Sequence, residues 1–190
     1  MERQQALNLL LKYNKEKYHI RHALTVEEVL KWYAKEFGYD PDYWGIVGLL
    51  HDIDYEMYPD EHCVKSVEIL RSENYGEDFI RSVCSHAYGM RVDIKPEHQM
   101  EKILFAVDEL TGIVGAAALM RPSKSISDME LKSLRKKFND KIFAAKCSRE
   151  VIQKGAEMLE WELDKLLSMT LEAMRSSENI VSEQLAALQG

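Results

Sequence analysis

Residues 40–52 constrain the fold more than any other segment of this 190-residue chain. Asp40-Pro41 sets a capping carboxylate and a first-turn proline ahead of Trp44, Ile46, Val47, Leu49 and Leu50. So continuous an apolar run predicts a helix buried on most of its sides. It ends in His51-Asp52, and neutral imidazole and carboxylate are ligands that divalent metals accept at neutral pH. Strand signals are nearly absent: alternation is not sustained, and no Asn-Gly or Asp-Gly hairpin turn occurs. The expected fold is all-α, a single compact helical bundle.

Other helices are placed by their punctuation. Thr25-Val26-Glu27-Glu28 reads as a capping box that opens a helix toward Phe37, closed at Gly38. A helix should open around Pro59-Asp60 and carry His62, Val64, Val67, Ile69 and Leu70. A fourth runs from about Gly76 to His86, closed by Gly89, and a long fifth follows Pro96 through Asp108 to the region before Pro122. Ser127-Asp128-Met129-Glu130 reads as a second capping box, opening a strongly basic helix. Ser148-Arg149-Glu150 opens the last long one, with Val151, Met158, Leu159, Leu163, Leu166 and Leu167 on its apolar face. Past Ser176 the chain is polar and is expected to fray or pack late. The expected division is a metal-binding core over 18–122, helices packed on it over 123–175, and a polar tail over 176–190. Trp32, Tyr33 and Trp44, at helical spacing, read as core.

A hydrophobic content of 46% suffices for one full core. The best apolar run, Gly112 to Met120, is far too short to span a bilayer. Glu2, Arg3, Gln4 and Gln5 lack the apolar centre of a secretory signal. Cys63, Cys84 and Cys147 are odd in number and widely spaced, which fits reduced thiols and offers no Cys-x-x-Cys clip. A cytoplasmic location without membrane association is expected. The formal charge of −7 makes nucleic acid an unlikely partner. An oligomer is left open.

The chemistry gathers around the doublet. His22, His51, Asp52 and Asp108 offer two imidazoles and two carboxylates, a set suited to one ion with open positions. Adjacent residues on a helix diverge by about 100°, so His51 and Asp52 can share an ion only near a helix end. A second ion would draw on His86 and His62, with Asp52 bridging, although His62 could equally cap its helix. Two ions clamp both oxygens of a phosphoryl displacement, and a bound water falls toward a pKa of about 7. The expected cofactor is one or two divalent ions of Mn, Fe, Ni, Co or Zn. His19 and His98 read as surface or satisfied core residues.

The series His22, Gly48-Leu49-Leu50-His51-Asp52-Ile53-Asp54, His86 and Asp108 resembles the HD superfamily of metal-dependent phosphohydrolases, over roughly Tyr18 to Met120. The resemblance implies hydrolysis of a nucleotide or other small phosphoester by a metal-activated hydroxide. Asp60 to Leu70 is similar to a stretch of the binuclear members, which moves His62 toward the second ion. Asp54-Tyr55-Glu56 and Asp108-Glu109-Leu110-Thr111-Gly112 are similar to a bacterial group known only as hydrolases of unsettled substrate. Members that cleave cyclic dinucleotides often carry Gly-Lys after the doublet and a Gly-Tyr-Pro motif. Neither occurs here, and that activity is not expected.

Two further features bear on catalysis. The basic stretch from Arg121 to Arg149 is either a solvated face or a phosphate-binding set, with Arg121, Lys124, Lys132 and Arg149 as the candidates. Asp52 and Asp54 are the catalytic candidates; Asp54 or Glu56 could act as general base or as the partner of a ligand histidine. Glu109, next to Asp108, should point elsewhere on a regular helix. Two alternatives stand beside hydrolysis: a di-iron oxygenase-like enzyme on the same scaffold, and a non-catalytic, metal-stabilised helical binding module.

Overall fold

The computed structural model describes residues 2–188. Among them are nine α-helices and no strand: α1 Arg3–Tyr13, α2 Lys17–Phe37, α3 Pro41–Leu50, α4 Val64–Ser72, α5 Glu77–Cys84, α6 Gln99–Leu119, α7 Leu131–Asn139, α8 Arg149–Met158 and α9 Leu163–Ala187. The fold is all-α. No helix of the described residues is long and apolar enough to cross a membrane.

The amphipathic helix α2 is the pivot, packing against α3, α6 and α9. Its own sequence explains why: Ile20, Ala23, Leu24, Val26, Val29, Leu30, Tyr33 and Ala34 are all buried. The buried hydroxyls of Tyr33 and Thr170 sit 2.9 Å apart, tying α2 to α9. Helix α3 starts as its sequence predicts, with Asp40 accepting from Asp42 N at 2.9 Å and Pro41 in the first turn. At Gly48 it comes so close to α2 that a Cβ would lie 2.8 Å from the Val26 carbonyl oxygen.

Several expected boundaries are corrected. Helix α2 begins at Lys17, not at Thr25, whose hydroxyl donates back to the Arg21 carbonyl in mid-helix. The true start is capped from a distance: the Glu56 carboxylate accepts from Lys15 N and Glu16 N. Helix α1 was not foreseen, yet Leu7, Leu9 and Leu10 join the core and Arg3 pairs with the buried Glu27. Pro59–Glu61 is a single 3₁₀ turn, and α4 opens only at Val64, leaving His62 outside any helix. Ser127 opens nothing; α7 starts at Leu131 without a side-chain cap.

The expected last long helix is two. Helix α8 stops where Glu160 takes φ +56, with Trp161 N bonded to Ala156 O and Glu160 N to Glu157 O. This is a Schellman closure built without glycine. The segment past Ser176 does not fray: α9 continues to Ala187, with Ser177, Val181 and Leu185 buried. One continuous core thus runs from Ala6 to Leu185.

Candidate metal centre

Four histidines and two aspartates meet where α2, α3, α6 and two short connections converge. His22 comes from the second turn of α2, and His51 caps the C-terminal end of α3, as the sequence requires for a shared site. Asp108 comes from mid-α6, and His86 from the 3₁₀ turn Ser85–Ala87 after α5. His62 comes from the irregular link into α4.

Two sub-clusters result. In the first, His22 Nε2 lies 3.2 Å from His51 Nε2 and 2.9 Å from Asp108 Oδ1. His51 Nε2 lies 3.4 Å from both Asp108 Oδ1 and Asp52 Oδ2. In the second, His62 Nε2 and His86 Nε2 are 3.0 Å apart, and Asp52 Oδ1 is 3.5 and 3.4 Å from them. Asp52 therefore turns one oxygen to each pair.

The donor chemistry fits divalent cations. His51 Nδ1–H donates to Gly48 O at 2.8 Å and His86 Nδ1–H to Val83 O at 2.6 Å. His62 Nδ1–H donates to Asp54 Oδ1 at 2.8 Å. With Nδ1 carrying the proton, each neutral ring turns an Nε2 lone pair inward. Lone pairs facing one another at about 3 Å, with carboxylates between them, form a cage of acceptors that a cation completes. His22, His51, Asp52 and Asp108 can hold one ion; His62, Cys63 and His86 form a second group that could hold another, with Asp52 Oδ1 close to both of its imidazoles.

The electrostatics follow. Burial works against charge on His51, yet Asp52 and Asp108 carry its pKa well above 6.5. Burial opposes ionisation of Asp108 too, but His22 and His51 hold it far below the usual carboxylate range. Asp52 is likewise held low, against burial, by His51.

Asp54 is corrected from catalytic candidate to positioning residue. It is wholly buried, with one oxygen on His62 and the other accepting from Ser66 N at 2.7 Å, so it faces no substrate. Glu56 serves the start of α2 instead.

Among the described residues no hydrogen bond or ion pair joins the basic candidates to the cluster. Arg121 donates to Asp128 at 2.8 Å, beyond the end of α6 and roughly 20 Å along the axis from Asp108, at about 1.5 Å per residue. Lys124 shares that turn, its N–H bonded to Arg121 O. Arg149 spends its guanidinium on the carbonyls of Phe138, Asp140, Phe143, Ala144 and Cys147, closing a loop. No hydrogen bond or ion pair links Lys132 to the centre among the described residues.

Three neighbours escaped the sequence reading. Cys63 enters beside His62, and the His-Cys dipeptide was the available signal. Tyr18 stands one helical turn before His22, on its face, and remains 71% exposed. Burial and the nearby Asp108 push the Glu109 carboxyl up to about 7. Its carboxylate accepts from Ser148 N at 3.0 Å, so the residue beside Asp108 joins the start of α8 to α6.

A family model described as HD domain matches residues 20–113. No curated protein and no solved structure matches the chain. The HD family consists mostly of metal-dependent phosphohydrolases. The matched span starts just ahead of His22, ends just past Asp108 and encloses the whole cluster: the chain belongs to the HD superfamily.

Proposed function

We propose that the chain is a binuclear metal-dependent phosphohydrolase acting on a nucleotide or another small phosphoester. The observation that supports it best is Asp52, whose Oδ2 lies 3.4 Å from His51 Nε2 while its Oδ1 lies 3.4 Å from His86 Nε2. A carboxylate so placed can bridge two cations, and paired ions can clamp the attacking and leaving oxygens of a phosphoryl displacement, the chemistry most common in the HD family. When bound, such ions supply Lewis acidity to the phosphoryl oxygens and draw the pKa of a water toward about 7.

The chain's own groups set the stage for that chemistry. His22, His51 and Asp108 hold the first position; His62 and His86 hold the second, with His62 oriented by Asp54. Asp52 is 19% exposed at its side chain, so the shared ligand meets the opening rather than the core. A run of rings leads inward from that side: Tyr18 to His19 at 5.6 Å, His19 to Tyr55 at 5.8 Å and Tyr55 to His62 at 5.1 Å between centroids. Tyr18 and Tyr55 are both exposed and offer faces on which a planar base can stack. This supports a nucleotide over a purely aliphatic ester. Three cysteines without a disulfide support a reducing, cytosolic setting for the protein.

Elemental analysis of protein purified without chelator, together with hydrolysis of a phosphoester panel, tests the proposal. About two divalent ions per chain are expected, falling toward one in His62→Ala. His51→Ala or Asp52→Ala should lower hydrolysis by more than about a hundredfold. No bound ion after reloading with Mn, Fe, Ni, Co or Zn would overturn it. So would dioxygen consumption by the iron-loaded protein without phosphoester cleavage.

A further inference from the structure

The second sub-cluster contains a donor that phosphohydrolysis does not require. Cys63 follows His62 at the entrance to α4, is wholly buried, and has backbone φ +65. That left-handed conformation is uncommon for a residue with a side chain, and such strain persists where the surroundings dictate it. Here it turns the sulfur toward the histidines. Cys63 Sγ lies 3.5 Å from His62 Nε2 and 4.0 Å from His86 Nε2.

These separations can be compared with a coordination polyhedron. A tetrahedral zinc with nitrogen or oxygen at about 2.0–2.1 Å and sulfur at about 2.3 Å has ligand-to-ligand edges of about 3.3 Å, and about 3.6 Å where sulfur takes part. The edges among His62 Nε2, His86 Nε2 and Asp52 Oδ1 are 3.0, 3.5 and 3.4 Å. The two edges to Cys63 Sγ, at 3.5 and 4.0 Å, surround the value expected for sulfur. The triangle of His62, His86 and Asp52 and the triangle of His62, His86 and Cys63 thus each match a face of such a tetrahedron to within about half an ångström. The neighbouring Cys84 is not a competing ligand. Its thiol donates to the Cys63 carbonyl at 3.4 Å and lies beside the Cys63 sulfur, and it is Cys63, not Cys84, whose sulfur converges with the two imidazole nitrogens.

We infer that Cys63 is a thiolate ligand of the second ion, which this chain holds with two imidazoles, one thiolate and the shared Asp52 carboxylate. On binding, the thiol gives its proton to solvent and the sulfur lone pair forms the bond to the cation, with no change of oxidation state. The two positions then differ in kind. The first, with two imidazoles and two carboxylates, accepts Mn as well as Zn. The second, with a soft thiolate, favours Zn, Co or Fe(II) over Mn or Mg. The inference rests on the binuclear reading for its second ion, but not on hydrolysis.

The full-length protein, stripped with chelator and reloaded, provides the test. Zinc-edge X-ray absorption of the wild-type protein should show a sulfur scatterer at about 2.3 Å. Cobalt loading should give a thiolate-to-cobalt charge-transfer band in the near ultraviolet. Both should vanish in Cys63→Ser, whose second-ion affinity for zinc should fall at least about tenfold, and both should persist in Cys84→Ser and Cys147→Ser. Two bound ions with no sulfur signal would overturn the inference and leave the hydrolase reading standing. A charge-transfer band that survives in Cys63→Ser would also overturn it. Wild-type protein that binds no ion would overturn both readings. Should Cys63→Ser fail to fold, the wild-type absorption spectrum decides alone.

Discussion

Asp54 shows how much a single side chain contributes from behind the centre. Its carboxylate accepts two N–H groups at once, His62 Nδ1 at 2.8 Å and Ser66 N at 2.7 Å, in full burial. An amide of the same shape has one acceptor oxygen and one donor nitrogen, so Asp54→Asn must leave one of those N–H groups opposed. The expected cost is about 1–3 kcal/mol of stability in the chelated protein, and second-ion affinity should drop roughly 10–100-fold while the first ion binds as before. Zinc titration of the variant checks this, and unchanged stoichiometry and affinity would show that His62 needs no orienting partner. Gly48 matters through space rather than charge. A Cβ there would meet the Val26 carbonyl oxygen at 2.8 Å and Glu27 Cα at 3.1 Å, both backbone. Gly48→Ala must therefore push α3 off α2 and carry His51 away from His22. We expect about 1–3 kcal/mol of destabilisation by thermal unfolding, with weaker binding at the first position.

At the scale of elements, the last turns of α9 separate propensity from packing. The segment is polar in composition, yet Val181 and Leu185 are buried, and the Glu178 carboxylate accepts from Ile126 N at 2.9 Å. Truncation after Ser176 should cost about 3–6 kcal/mol, from two apolar side chains at about 1.5–3 kcal/mol each. A melting temperature unchanged by truncation would show instead that these turns contribute nothing. The same contrast separates what could be read from the sequence from what could not. Helix α3 and its terminal His51 were legible because Asp40, Pro41 and the apolar run act locally. His22, Asp52, His86 and Asp108 were legible as metal-capable residues at wide spacing, and the fold brings them together. The start of α2 was not legible, because its cap is the Glu56 carboxylate, 40 residues further along the chain. Nor was the break before α9, made by Glu160 in a conformation usually left to glycine. Arg149 misled for a related reason. Its charge suggested phosphate, but the Phe138 carbonyl at the end of α7 and four loop carbonyls take up its donors.

Across the whole molecule, the centre couples stability to pH in opposite senses with and without metal. In the chelated protein, His51 and His86 have pKa values raised from 6.5 by the facing carboxylates, against the opposing effect of burial. Their contribution is complete below 6.5 and is lost as pH rises through the raised values. Burial lifts Glu109 from 4.5 to about 7, so its favourable protonated form is also lost as pH rises toward 7. Asp52 and Asp108 lie below 3.8, and what they contribute is present above that value and lost only as pH falls beneath it. The chelated protein should therefore be most stable near about pH 4 to 4.5, decline as Glu109 ionises toward pH 7, and decline further above 6.5 as His51 and His86 lose their protons. Metal reverses the slope, since bound imidazoles must be deprotonated and binding releases protons. Zinc-loaded protein should gain stability over the same range in which the stripped protein loses it, so that the gap in melting temperature widens steadily from about pH 5.5 to 8. Paired thermal unfolding series across that range check the point. Parallel curves would mean that the ions do not bind through these imidazoles, and a stripped protein that stabilises from pH 6 to 8 would mean that the carboxylates do not hold His51 and His86 protonated.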